Sequence, residues 1–325
     1  MRRSKAAVAA ALFTVLALLP LAVAPVMAGN SQAAAKAEQQ RIVKYWTAER
    51  IANATPRDFV KTADGKFVPK GKPGGGGTGA SWTQGGPVVD RTGKVLFTMD
   101  GSNWVCSASA VNDSRGTFSL ILTAGHCAYD ETNHAFATNW IYVPSFDTAP
   151  TFTCASTTYG CWTSVGLVVD SGFATAGSFN TQATVHDFAI SIVGAGTNGT
   201  QLDANPRGSY PIAYPAVNTG GTVHAFGYPA AGRYHGNDLT YCTGPTFNDA
   251  NNANKTWGIA CNMTGGSSGG PWLATFTTNP TLTSLNSYGY SGLSNMYGPK
   301  FNGNTQAVYN RANTTTGNFV VPVTP

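Results

Sequence analysis

From residue 81 onward, apolar residues come in short runs, not in helical stripes. Val88–Val89, Lys94–Thr98, Trp104–Val111, Phe118–Thr123, Ile141–Val143, Ser164–Val169, Phe188–Val193, Thr222–Tyr228, Asp238–Thr243, Trp257–Asn262 and Trp272–Phe276 are rich in β-branched and aromatic residues. Clusters of Gly, Asn, Asp or Pro separate most of them. Strands at this spacing predict an all-β sandwich or barrel, with chain enough for two barrels. Only Gln306–Arg311 suggests a late helix. The N-terminal part reads differently. An apolar stretch runs from Ala6 to about Val26, interrupted by Pro20 and Pro25. Gln32–Ile51 is rich in Ala, Glu, Gln, Lys and Arg, which predicts a helix stopped by Pro56. Lys61–Lys72 is basic and polar, and Gly74–Gly77 forms a flexible linker.

Charge sharpens this division. The chain carries a net charge of +5, which at first suggests a nucleic-acid or membrane partner. Residues 1–80 hold 12 Lys/Arg against 4 Asp/Glu, a balance of +8, and the remaining residues are mildly acidic at −3. The folded part therefore lacks the clustered cations of a nucleic-acid footprint. Its low charged fraction of 11% and its 38 glycines fit short strands and tight turns.

Arg2, Arg3 and Lys5 precede the apolar stretch, and Val26-Met27-Ala28 supplies small or aliphatic residues at a cleavage site. Residues 1–28 are thus expected to be a secretory signal peptide cut after Ala28; an uncleaved anchor is the competing reading. Residues 29–80 are expected to be a pro-segment and Gly-rich linker, against a plain disordered extension. All six cysteines, Cys106, Cys127, Cys154, Cys161, Cys242 and Cys261, follow residue 100. An even count behind an export signal predicts disulfides, with nearest-neighbour pairing the simplest of 15 connectivities. No Cys-x-x-Cys or His-Glu-x-x-His supports the metal-binding alternative.

Three local sequences carry chemistry. In Thr123-Ala124-Gly125-His126-Cys127, a β run ends in a small-residue turn that presents a histidine able to take and return a proton. In His186-Asp187-Phe188-Ala189-Ile190, a carboxylate stands at the mouth of an apolar strand and is able to orient an imidazole. Asp130, Asp147 and Asp170 compete with it for that role. In Gly265-Gly266-Ser267-Ser268-Gly269-Gly270-Pro271, glycines let the backbone turn around a serine. The amides of Gly266 and Ser268 can then meet one developing oxyanion.

Residue order separates the serine-hydrolase types. A nucleophile elbow needs Ser, then an acid, then His, and no His, Asp or Glu follows Ser268. The order Asp, His, Ser belongs to an α/β fold, which this strand-rich chain does not suit. His126, Asp187, Ser268 remains.

These motifs resemble those of secreted bacterial trypsin/chymotrypsin-like serine peptidases, over most of residues 86–312. The segments Tyr45-Trp46-Thr47-Ala48-Glu49-Arg50 and Phe226-Gly227-Tyr228-Pro229 are similar to actinobacterial members. The resemblance implies two six-stranded antiparallel β-barrels, the first over about 86–205 and the second over about 215–312, with the triad in the cleft between them. It implies serine-type endopeptidase activity on protein or peptide substrates, with Gly266 and Ser268 as the oxyanion hole and no cofactor or metal. It also supports Cys106–Cys127 as the staple beside His126. Animal members carry Asp where Ser267 stands, paired with a new N-terminal ammonium; that pair is not expected here. The base of the specificity pocket falls near Asn262, and no carboxylate lies between Asn254 and Ser268. Ser287-Tyr288-Gly289 resembles the strand beside the bound peptide, and Asn286 stands where glutamate-specific relatives carry His. Uncharged side chains are therefore the expected preference. The protein is expected to be secreted and extracellular, a monomer, with no nucleic-acid partner and no membrane contact after signal-peptide removal. A silent protease-fold binding protein, an esterase using the same serine and a Gly/Tyr/Asn-rich wall protein are the alternatives.

Overall fold

The computed structural model describes residues 24–69, 79–146, 153–204, 208–214 and 217–323. Most of the expected export signal, the Gly74–Gly77 linker and Asp147 lie outside them. The chain divides into two compact units, Met1–Ala37 and Glu38–Pro325. In the first, residues 24–37 are helical, part of the helix Ala24–Tyr45. No helix among the described residues is long and apolar enough to cross a membrane.

Twelve of the strands described in the second unit outline two barrels. β1 (Thr92–Met99), β2 (Ser102–Val111), β3 (Ser119–Thr123), β4 (Thr138–Pro144), β5 (Trp162–Asp170) and β6 (Ala189–Val193) are hydrogen-bonded in the order β2-β1-β4-β5-β6-β3. Pairing of β2 with β3 closes this ring, so all six strands form one antiparallel barrel. β7 (Thr222–Gly227), β8 (Thr240–Pro245), β9 (Thr256–Ala260), β10 (Pro271–Ala274), β11 (Thr281–Leu285) and β12 (Asn295–Pro299) form the second barrel from two sheets. One sheet runs β11-β10-β7-β8 and the other contains β9-β12 followed by the strand Tyr288–Tyr290. Val223, Ile259, Trp272 and Met296 belong to its buried core, and a larger apolar cluster fills the first barrel and the ground between the two. This is the chymotrypsin-like double-barrel architecture.

Several expectations need correction. Val88–Val89 is not a strand: Pro87 starts a one-turn helix, Pro87–Arg91, where its missing N–H costs no hydrogen bond. The helix expected over Gln32–Ile51 breaks at Tyr45. Trp46 is buried and its Nε1 donates to the Asn139 carbonyl at 2.6 Å, and Thr47 then caps a second helix, Ala48–Asn53. The late helix is longer than expected, Gly303–Ala312, with a capping box on Asn302.

The larger surprise lies in residues 55–81. Thr55–Pro56 pairs in parallel with Trp104–Val105 of β2. Phe59–Lys61 pairs in parallel with Tyr288–Tyr290, and Phe67–Pro69 pairs with Phe59–Lys61 in turn. Ala80–Ser81 pairs with β8. The N-terminal segment thus adds strands to both sheets of the second barrel. All three disulfides join nearest neighbours: Cys106–Cys127, Cys154–Cys161 and Cys242–Cys261.

Candidate active site

His126 sits in a 3-10 turn, Gly125–Cys127, directly after β3. The Cys106–Cys127 disulfide ties this turn to β2. Asp187 precedes β6, which pairs with β3, so the two motifs end on neighbouring strands. The Asp187 carboxylate grips His126 twice. Its Oδ1 accepts the His126 backbone N–H at 2.8 Å, and its Oδ2 lies 2.8 Å from His126 Nδ1. Ser287 Oγ also donates to Oδ2, at 2.5 Å. A carboxylate placed this way fixes the ring and its tautomer. The competing carboxylates among the described residues lie elsewhere. Asp170 holds His186 Nδ1 at 2.7 Å, and Asp130 closes its own turn on Asn133.

Ser268 lies on the second barrel, just before β10. Its loop is cross-braced from several sides. Ser107 of β2 donates its N–H to the Ser268 carbonyl at 2.7 Å and its hydroxyl to the Gly266 carbonyl at 2.8 Å. Gly266 has φ +96°, and a Cβ there would meet the Tyr228 carbonyl at 2.8 Å, so the turn admits only glycine without strain.

The expected specificity residues fall in three places. Asn262 Oδ1 accepts the Gly79 amide at 3.1 Å and the Tyr234 hydroxyl at 3.0 Å. Tyr288 and Gly289 pair with an extended strand of this same chain, Tyr288 opposite Phe59 and Gly289 opposite Val60, while Ser287 gives its hydroxyl to Asp187. Tyr288 turns its hydroxyl inward to Asp249, and burial with that neighbouring charge holds its ionisation well above the ordinary tyrosine range. Asn286 is fully buried. Its Nδ2 donates to the carbonyls of Phe226 and Ser267 at 2.8 and 3.0 Å, and its Oδ1 accepts Trp272 Nε1 at 2.8 Å. It braces the serine loop from within the barrel and does not line the cleft.

One participant was not foreseen. Asp58 enters the site with both carboxylate oxygens engaged: Oδ1 accepts the Ser268 hydroxyl, and Oδ2 accepts the Gly266 amide at 2.9 Å. Nothing in Pro56-Arg57-Asp58-Phe59 marks it in the sequence, since its partners lie 208 and 210 residues away along the chain. Ser268 therefore turns its hydroxyl to Asp58, and His126 Nε2 is buried with no hydrogen-bond partner among the described residues.

A double barrel with a carboxylate-held histidine on one barrel and a glycine-flanked serine on the other, with Ser287 donating to Asp187 and its carbonyl 3.4 Å from the Ser268 hydroxyl, has the layout of a serine peptidase. Comparison with solved structures gives the same class. The chain is 36% identical to the protease Anisep from Arthrobacter nicotinovorans, covering 73% of this chain and all of that one, with a TM-score of 0.62. It is 34% identical to the thermostable serine protease AL20 from an extremophilic microorganism, covering 71% of this chain and all of that one, with a TM-score of 0.61. A Glu endopeptidase shares the fold at 19% identity and a TM-score of 0.56, covering 75% of this chain and 99% of its own. A scan against protein-family models gave no match, and a search of curated proteins gave none. The chain belongs to the bacterial chymotrypsin-like serine peptidases.

Proposed function

We propose that the chain is the precursor of a secreted serine endopeptidase acting through His126, Asp187 and Ser268. The observation that carries this reading is the reach of one carboxylate. Asp58 touches Ser268 Oγ and the Gly266 amide at once, so nucleophile and oxyanion donor converge on one point.

With Asp58 withdrawn, the Ser268 hydroxyl is free to turn to His126 Nε2. Ser268 attacks the peptide carbonyl while His126 takes its proton. Asp187 holds the imidazole and stabilises its charged form, and the Gly266 and Ser268 amides receive the oxyanion. His126 then protonates the leaving amine. Water, activated by the same histidine, hydrolyses the acyl-enzyme. The cycle calls for no cofactor. Three disulfides suit an extracellular protein, and the N-terminal 28 residues suit an export signal. The remainder up to about residue 80 is read as a pro-segment, and the mature enzyme as a monomer. Asn262, at the base of the expected pocket, supports a preference for uncharged side chains.

The test uses secreted protein processed to its mature N-terminus. A fluorophosphonate probe is expected to label it, and Ser268→Ala to abolish labelling. The same substitution is expected to cut casein hydrolysis by about 10⁴-fold or more. A processed protein that is not labelled points to a silent binding protein; one that cleaves short-chain esters but not casein points to an esterase.

A further inference from the structure

We propose that residues 55–61 are an inhibitory strap that runs through the cleft against the direction of a substrate, with the Asp58 carboxylate seated where a peptide carbonyl would react. This rests on the serine-peptidase reading above and states how that same site is kept silent.

Three observations carry it. The first is chemical. A hole made for a developing oxyanion accepts an anion, and Asp58 supplies one to the Gly266 amide while accepting a hydrogen bond from the Ser268 hydroxyl. A carboxylate is a poor electrophile, because acylation would have to expel oxide or hydroxide from it. The strap therefore occupies the centre without being consumed.

The second is polarity. The acyl side of a substrate, its N-terminal side, is assigned to Ser287–Gly289. Its leaving side faces His126, which must protonate the amine. The strap reverses this. Its C-terminal residues, Phe59–Lys61, lie on Tyr288–Tyr290, and its N-terminal residues, Thr55–Pro56, lie on Trp104–Val105 beside the Cys106–Cys127 staple. The parallel register at Tyr288–Tyr290 is the opposite of what that substrate would adopt.

The third is anchorage on both sides of Asp58. Arg57 donates to the His126 carbonyl at 2.6 Å and pairs with the buried Glu131 at 3.2 Å. Phe59 stacks on Phe179 with ring centroids 4.1 Å apart, and both rings meet His126 edge-on at 5.5 and 5.4 Å. Asp58 is 2% exposed, Ser268 1% and His126 0%, so the strap seals the reaction centre from solvent.

The experiment follows fluorophosphonate labelling of the full-length band in time, with processed protein as reference. Intact wild type is expected to label about 100-fold more slowly than the processed form, a competent fraction of about 1%. Asp58→Asn keeps the shape and removes the charge; it is expected to raise labelling of the intact chain about tenfold, with Asp58→Ala and Arg57→Ala in the same direction. A second measurement needs no catalysis: a labelled peptide of residues 53–68 is expected to bind the processed chain and be recovered uncut, and its Asp58→Asn version to bind about tenfold more weakly. Intact wild type labelling as fast as processed protein overturns the strap. So do Asp58 variants that label as slowly as wild type, or a peptide cut at residues 57–59. Processed protein that binds the peptide but does not label overturns the serine-peptidase reading instead.

Discussion

The two barrels are made of the same number of strands, yet they end differently. The first closes on itself through β2 and β3 and carries His126 and Asp187 on adjoining strand ends. The second remains two sheets, and both take up strands from the N-terminal segment: Phe59–Lys61 beside Tyr288–Tyr290, and Ala80–Ser81 beside β8. The proton-handling pair lies on one barrel, with Ser287 of the second barrel adding a hydrogen bond to Asp187. The nucleophile half is reached by whatever lies on the open sheet edges. The strap proposed above engages the Ser268 hydroxyl and leaves the His126–Asp187 hydrogen bond in place.

The largest effect separates these halves. Asp187→Asn keeps the shape but removes the charge that receives His126 Nδ1–H. Peptide hydrolysis by the processed enzyme is expected to fall about 10⁴-fold. The Gly266 side of the site does not use Asp187, so an anionic transition-state mimic that binds noncovalently should lose much less. Equal losses in both measurements would show that the halves are not independent.

The next effect belongs to the open barrel. Trp82 follows the added strand Ala80–Ser81 and packs edge-on against Phe226, Tyr241 and Phe276, with centroids 5.2–5.5 Å away. Its backbone N–H donates to the Leu239 carbonyl at 2.7 Å and its indole Nε1–H to the Gly85 carbonyl at 2.8 Å. Trp82→Ala is expected to cost about 2 kcal/mol, less than full burial would give, because part of the ring faces solvent. Denaturant unfolding of the processed chain measures it. An unchanged midpoint would mean that Ala80–Ser81 rides on the sheet without supporting it.

How much of this the sequence disclosed depends on the distance over which each signal acts. His126, Asp187 and Ser268 stand in local motifs whose neighbours make their own turns, and their order excluded the rival hydrolases. The cysteine pairs are short-range too. Asp58 has its hydroxyl partner 210 residues away, and no periodicity marks a three-residue strand such as Phe59–Lys61. The strand Asn295–Pro299 escapes the apolar pattern because Gly298 and Pro299 punctuate it like a turn. Asn286 was expected in the cleft from its position alone; only the fold shows its amide spent on Phe226, Ser267 and Trp272.

A smaller effect probes where the barrels touch. Lys94 of β1 is buried and reaches across to the Gly236 carbonyl at 3.0 Å, with its ammonium over the Phe146 ring. Burial lowers its ionisation from 10.5 to about 8. The native state therefore releases this proton before the unfolded chain does, and between those values the unfolded chain binds more protons. Stability from this group accordingly rises as pH increases through about 8 towards the unfolded value. Below that range the native fold carries the cost of a buried charge. Lys94→Met removes that cost, so its advantage over wild type is expected to shrink by about 1 kcal/mol between about pH 7 and about pH 9. Paired unfolding curves at the two pH values measure it. A constant difference would mean that the ammonium is solvated and the contact between the barrels is open to water.

The smallest effect concerns the start of the mature chain. Ser267 is fully buried, and its hydroxyl has no hydrogen-bond partner among the described residues. It offers no charge for a new N-terminal ammonium. Ala80–Ser81 is already paired on β8, and Gly79 already donates to Asn262, while the chain continues upstream. Docking of this strand therefore does not depend on a free amine. One extra residue at the mature N-terminus is expected to leave kcat/KM within about twofold, and Ser267→Ala to change stability by no more than about 1 kcal/mol, since it deletes an unpaired hydroxyl. If the extension abolished activity, the open barrel would be completed by the new terminus and not by the chain that leads into Trp82.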